Sequence, residues 1–146
     1  MSNICRLLRL DFLPSSTHVA LLVLRVWIGT TMLTLHGAGK IAKLLEPPVQ
    51  FPDYFGIGST ASLGLVIFGE VVCSVLLVLG LFTRFAALAG GITMAVAFFL
   101  AHKAVLTGDH NGEMAFIYLA TYVPLFLAGA GRISLDARRC GTTTDA

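Results

Sequence analysis

The chain has 146 residues, of which 56% are hydrophobic and 12% charged, and its mean hydropathy is +0.85. Soluble domains carry about 25% charged residues, so a water-soluble globule is excluded and a single all-α integral membrane domain is expected. The net charge of +2, with no basic block, excludes a nucleic-acid partner and leaves membrane lipid as the main surroundings.

Residues 1–17 read as a short cytoplasmic arm, with Arg6 and Arg9 spaced like an interfacial anchor. Arginines before an apolar run mimic a signal peptide. The run is too long for that, and no small-residue cleavage site ends it. A retained anchor is expected.

The first span is predicted over about 18–45, ending at Glu46-Pro47-Pro48, because proline cannot continue a helix. At roughly 100° per residue one face carries Arg25, Gly29, Met32, His36, Lys40 and Lys43. A charge at the depth of Arg25 must snorkel or be paired. Lys40 and Lys43 suit the membrane interface. Thr30, Thr31, Thr34 and Ser74 can bond their own helix carbonyls. The connection after the prolines holds Phe51, Tyr54 and Phe55, aromatics of the interfacial type, and could form a short re-entrant or surface helix.

The second span is predicted over about 60–82, with Glu70 roughly 15 Å below its start. A carboxylate there pairs with Arg25 or His36, or it carries a proton because burial disfavours its charge. Thr83-Arg84 is a tight turn. The third span is predicted over about 85–106, with Ala86, Gly90, Gly91 and Ala95 letting backbones approach. The fourth is predicted over about 113–131, with Glu113 in its first turn and Pro124 as a kink. These spans make an integral membrane four-helix bundle over residues 18–136. Residues 137–146 are expected to fray as a polar cytoplasmic tail.

Arginine and lysine placement sets the orientation. Arg6, Arg9, Arg84, Arg132, Arg138 and Arg139 share one side, and Lys40, Lys43 and Lys103 share the other. Both termini are therefore expected in the cytoplasm. His36, Lys40, His102, Lys103, Asp109, His110 and Glu113 then gather near the outer side.

The candidate ligand or proton site comprises Arg25, His36, Lys40, Glu70, His102 and Glu113. Met32, Met94 and Phe98, with Phe99 and Phe116, could line a cleft for an isoprenoid ring. His36 and His102 could flank a haem, and His36, His102, Glu70 and Glu113 could hold a metal. No HxxxH or ExxH spacing occurs, so a polar cluster without a cofactor is favoured over both. His18 and His110 are expected to be solvated. Cys5, Cys73 and Cys140 form no CxxC, which argues against disulfide exchange; Cys73 reads as packing.

Several pieces in order resemble the DoxX family of small four-helix bacterial membrane proteins. They are R-VWIG at Arg25 to Gly29, HGAGK at His36 to Lys40, FG-I after the loop, and Gly69-Glu70. LGLFTR at Leu79 to Arg84, Glu113, and GAGRISLD ending at Asp136 continue the pattern. The resemblance spans residues 18–136. It implies a multi-pass protein of the bacterial cytoplasmic membrane, linked to membrane redox complexes, with a protein partner or a second copy. It also implies an accessory or quinone-facing subunit rather than a complete enzyme. Quinone or another lipophilic ligand, bound near Glu70 and His36, is the leading functional expectation. A non-enzymatic scaffold or assembly factor is the alternative. A transporter or proton path ranks third, because the inner half of the first span looks too apolar.

Overall fold

The computed structural model describes residues 16–140. The expectations for Arg6, Arg9 and Cys5, and for the tail after Cys140, lie outside the described residues. Among those described, the regular structure is helical throughout.

Helix α1, Thr17–Leu45, starts at Ser16, whose Oγ accepts from the Val19 N–H at 3.3 Å. It is interrupted by a π-helical stretch, Met32–Gly37. Helix α2, Ser59–Leu79, carries a second π stretch, Phe68–Val72, and stops at Gly80, a left-handed cap with φ 66°. Helix α3, Thr83–Ala101, ends in a third, Ala97–Ala101. Helix α4 is Glu113–Ala128, with Pro124 inside it, and a short α5 covers Leu135–Cys140.

Several details differ from the sequence expectation, among them the second and fourth helices, which end at Leu79 and Ala128. The third helix stops at Ala101 because Lys103 and Ala104 take left-handed backbone, φ 52° and 57°. Residues 46–58 contain no helix. Part of the supposed tail is ordered as α5, since Asp136 is hydrogen-bonded to the α2–α3 turn.

Helices α1 and α2 run antiparallel, each end of one packing on the opposite end of the other. Helices α3 and α4 pair in the same way, α2 packs on α3, and α1 touches α4. Small residues set the spacing: a Cβ at Gly29 would lie 2.8 Å from the Ser74 carbonyl oxygen, and one at Gly37 2.8 Å from Val71. Gly69 backs directly onto Thr93, and Gly90 onto the Tyr122 ring.

α1, α2 and α3 are long and apolar enough to cross a membrane, while α4 is apolar but shorter. The outer surface is apolar: Trp27 and Leu35 are each 69% exposed. The interior holds Arg25, Glu70, Ser74 and Thr83 beside its apolar core. Apolar outside and partly polar inside is the arrangement that lipid surroundings favour. This is a membrane protein whose helices contact lipid.

Candidate functional site

The bundle has two polar ends. At one, Lys40 on α1 meets Glu70 on α2. The ammonium lies 3.0 Å from Oε1 and 2.9 Å from Oε2. The Glu70 side chain is only 6% exposed, that of Lys40 23%. One partner is sealed in the bundle, and the other opens to its edge. Glu70 sits in the π stretch of α2, and His36 sits in that of α1, against which it packs. A π turn absorbs one extra residue and rotates the residues after it. Gly37 therefore faces α2, while the half-buried His36 turns edge-on to Tyr118 of α4, ring centroids 5.5 Å apart. Below Glu70 lie Cys73, Ser74 and Tyr122, all buried.

At the other end sits Arg25, 2% exposed. Its Nη1 donates to the Leu77 and Val78 carbonyls at 3.1 and 3.0 Å, and its Nη2 donates to the Ile133 carbonyl. These bonds fall on carbonyls in the last turn of α2, that of Leu77 also accepting from the Gly80 N–H at 3.0 Å, and they hold the segment after α4. Asp136 provides the nearby opposite charge. The expected pairing of Arg25 with Glu70 is thus overturned, and so is pairing of Glu70 with His36. The reason is side-chain direction. Side chains on a helix lean toward its N-terminus, so on antiparallel neighbours they lean in opposite directions, which separates Arg25 from Glu70 and brings Lys40 to Glu70. Arg25 reaches toward the start of α1, and Glu70 reaches toward the start of α2, where Lys40 waits.

The remaining candidates scatter. Lys43 is exposed, as an interfacial residue should be. His102 Nδ1 lies 2.9 Å from the His110 carbonyl oxygen and belongs to the loop between α3 and α4. Glu113 is exposed in the first turn of α4. Met32, Met94 and Phe98 are packed in the core, so they form no open cleft wall there; Phe99 and Phe116 are exposed and flank Phe98. Among the described residues no group of three or more His, Cys, Asp or Glu could hold a metal. His18, expected to be solvated, is half-buried and accepts from the Arg132 N–H at 3.3 Å.

A family model described as DoxX matches residues 20–103. The chain belongs to the DoxX family. It is also 37% identical over 112 residues to a protein of Haemophilus influenzae described as uncharacterized, covering 72% of this chain and 80% of that one. No solved structure matches it.

The DoxX match contains both halves of the Lys40–Glu70 pair, and Arg25 with its two α2 carbonyls. Glu113 and the GAGRISLD stretch lie beyond it. The roles of two aspartates escaped the sequence reading, where Asp136 entered only as the end of GAGRISLD. Asp136 caps the start of α3, its oxygens accepting from the Phe82 and Thr83 N–H groups at 2.7 and 2.9 Å. Asp53 accepts from the N–H groups of Phe55, Ile57 and Gly58 and from the Ser62 hydroxyl. Its signal was available: an aspartate after proline, before two glycines and a serine-led helix, is a turn-and-cap pattern. Tyr118 and Tyr122 gave no signal, since an inward tyrosine resembles core.

Proposed function

We propose that this DoxX protein is a membrane subunit of a redox-linked complex that binds quinone or another lipophilic ligand at the Lys40–Glu70 end of its bundle. The observation that carries the reading is the half-open ion pair. Lys40 has three N–H donors and spends two on Glu70. The third is free to meet a ring oxygen arriving from the lipid side. A lysine there favours negative charge developing on a reduced ring, and Glu70 and His36 are groups able to exchange its protons. Arg25 has no part in this chemistry; it holds the opposite end together.

In this reading the protein is multi-pass in the bacterial cytoplasmic membrane, with four spans and both termini in the cytoplasm. The apolar α4, packed along α3, supports a fourth span. The arginines at the Arg25 end and the lysines at the Lys40 end support the orientation. In the same reading the role is that of an accessory subunit.

The test is to purify the protein from its native membrane and extract and assay bound quinone. A short-chain quinone should also raise the melting temperature, and Lys40→Met and Glu70→Gln should abolish that shift. Absence of both bound quinone and any shift in the wild type rejects the reading. A scaffold or assembly factor is the second reading, favoured by the close packing of Met32, Met94 and Phe98. It predicts that Glu70→Gln lowers the yield of a partner complex with no ligand-specific defect.

A further inference from the structure

Charge divides unevenly between the two ends of the bundle. Among the described residues, the Lys40 end carries three lysines against five carboxylates. The Arg25 end carries Arg25, Arg84, Arg132, Arg138 and Arg139 against Asp136 alone. Asp136 is engaged with the Phe82 and Thr83 N–H groups, and Arg25 is buried. The other four arginines are exposed, and none has a carboxylate partner among the described residues. All the cations at this end are arginine. A guanidinium fork matches two oxygens of a phosphate, which an ammonium cannot do.

Hydrogen bonds fix these arginines to one surface. Arg84, in the first turn of α3, donates from Nη2 to the Leu127 carbonyl at 3.1 Å, at the end of α4. The Arg132 N–H donates to His18 Nδ1 at the foot of α1, and the next carbonyl, that of Ile133, accepts from Arg25. Helix α5, which bears Arg138 and Arg139, is stapled at its start. The Asp136 carboxylate takes the Phe82 and Thr83 N–H groups, and the Asp136 N–H donates to the Gly80 carbonyl at 2.9 Å. Thr83 precedes Arg84, so the staple joins α5 to the start of α3. Phe82, Phe85 and Ile133, each within two residues of these arginines, are large and exposed. Guanidinium groups beside exposed apolar side chains complement an anionic headgroup joined to acyl chains.

We propose that Arg84, Arg132, Arg138 and Arg139 form a surface that binds the phosphate headgroups of anionic lipid in the adjacent leaflet, with the Asp136 staple presenting α5 to that leaflet. The exposed apolar residues at the same level favour lipid over an acidic soluble protein. This surface lies at the opposite end from the Lys40–Glu70 pair and does not depend on quinone binding.

The experiment reconstitutes the full chain in phosphatidylcholine bilayers containing a trace of spin-labelled phosphatidylglycerol or spin-labelled phosphatidylcholine. The fraction of label immobilised by the protein gives the preference between the two lipids. Phosphatidylglycerol should be held about fivefold more strongly at low salt, the effect of one arginine at a membrane surface. Arg138→Gln combined with Arg139→Gln should cut that preference to about half or less. Lys43→Gln combined with Lys103→Gln removes the same two charges from exposed positions at the other end and should leave it unchanged. Exposed substitutions of this kind should barely alter the melting temperature. If the double arginine variant fails to fold, Arg132→Gln replaces it and should lower the preference in the same direction. Three results overturn the proposal. One is equal retention of the two lipids by the wild type. Another is an equal fall in the lysine variant, which would make the preference a matter of net charge alone. The third is loss of the preference on adding inorganic phosphate at matched ionic strength, which would mark a site for a soluble anion.

Discussion

The Lys40 ammonium straddles the Glu70 carboxylate, 3.0 Å from one oxygen and 2.9 Å from the other, and joins α1 to α2 near the π stretches of both helices. The Glu70 side chain is nearly enclosed, so its environment is set mainly by what Lys40 brings. Removing one member of such a pair strands the other. Removing both leaves two compact apolar or amide groups. The interaction is thus measured by comparing single and double variants.

Lys40→Met should destabilise the protein by about 3 kcal/mol, because an unpaired charge remains in the bundle. Lys40→Met combined with Glu70→Gln should recover at least half of that loss. Reversible denaturant titration in detergent measures both. Equal losses in the single and double variants would contradict a coupled pair.

Much of this arrangement was legible in the sequence, and the exceptions have physical causes. The stripe of Arg25, Gly29 and Met32 follows the α-helical period and is buried as expected. The period fails at the π stretch of α1, where one added residue brings Gly37 rather than His36 against α2. A hydropathy pattern contains no sign of that insertion. Depth matching placed Arg25 beside Glu70 because it measured backbone positions. Long side chains on antiparallel helices lean in opposite directions, which moved each to a different end. The overlong third helix has a similar cause. Ala104 to Leu106 resume the apolar run, but Lys103 and Ala104 have left-handed backbone that no helix can include.

Arg25 serves three carbonyls in two chain segments, and lysine cannot replace it. A planar guanidinium presents donors in several fixed directions, whereas one ammonium on a flexible stem cannot span Leu77, Val78 and Ile133 together. Arg25→Lys should cost about 2 kcal/mol, since charged hydrogen bonds contribute roughly 1.5–3 kcal/mol each. Arg25→Leu should cost more and loosen α5. Hydrogen exchange at Ala137 and Asp136 reports the loosening. Unchanged protection there would show that Arg25 does not hold this segment.

Two glycines on α2 should respond to alanine in opposite ways. Gly69 backs onto the Thr93 side chain with no room for a methyl group, so Gly69→Ala must push α2 and α3 apart. Overpacking of this kind costs about 1–3 kcal/mol. Gly64 has nothing within 4 Å of its Cβ position and lies within α2. Gly64→Ala should therefore be neutral or stabilising by up to about 1 kcal/mol, as helix propensity dictates. Denaturant midpoints of the two variants check the contrast; a destabilised Gly64→Ala would show that lipid or a partner needs that gap.

Asp53 gives the connection between α1 and α2 a defined acid response. The Gly58 N–H, together with those of Ile57 and Phe55 and the Ser62 hydroxyl, holds its carboxyl below the ordinary 3.8, against a weaker opposing effect of burial. A carboxylate whose folded value is depressed stabilises the fold above the unfolded value, and that contribution disappears as pH falls through the folded one. The loop should therefore stay ordered down to pH 3.8 and loosen only below it. The amide signals of Gly58 and Ile57 should move together through this transition, with a midpoint under 3.8. Asp53→Asn should remove the pH dependence from both amides, while the signals of Arg25 and Glu70 stay in place. A midpoint at or above 3.8 would mean that these hydrogen bonds do not favour the charged carboxylate.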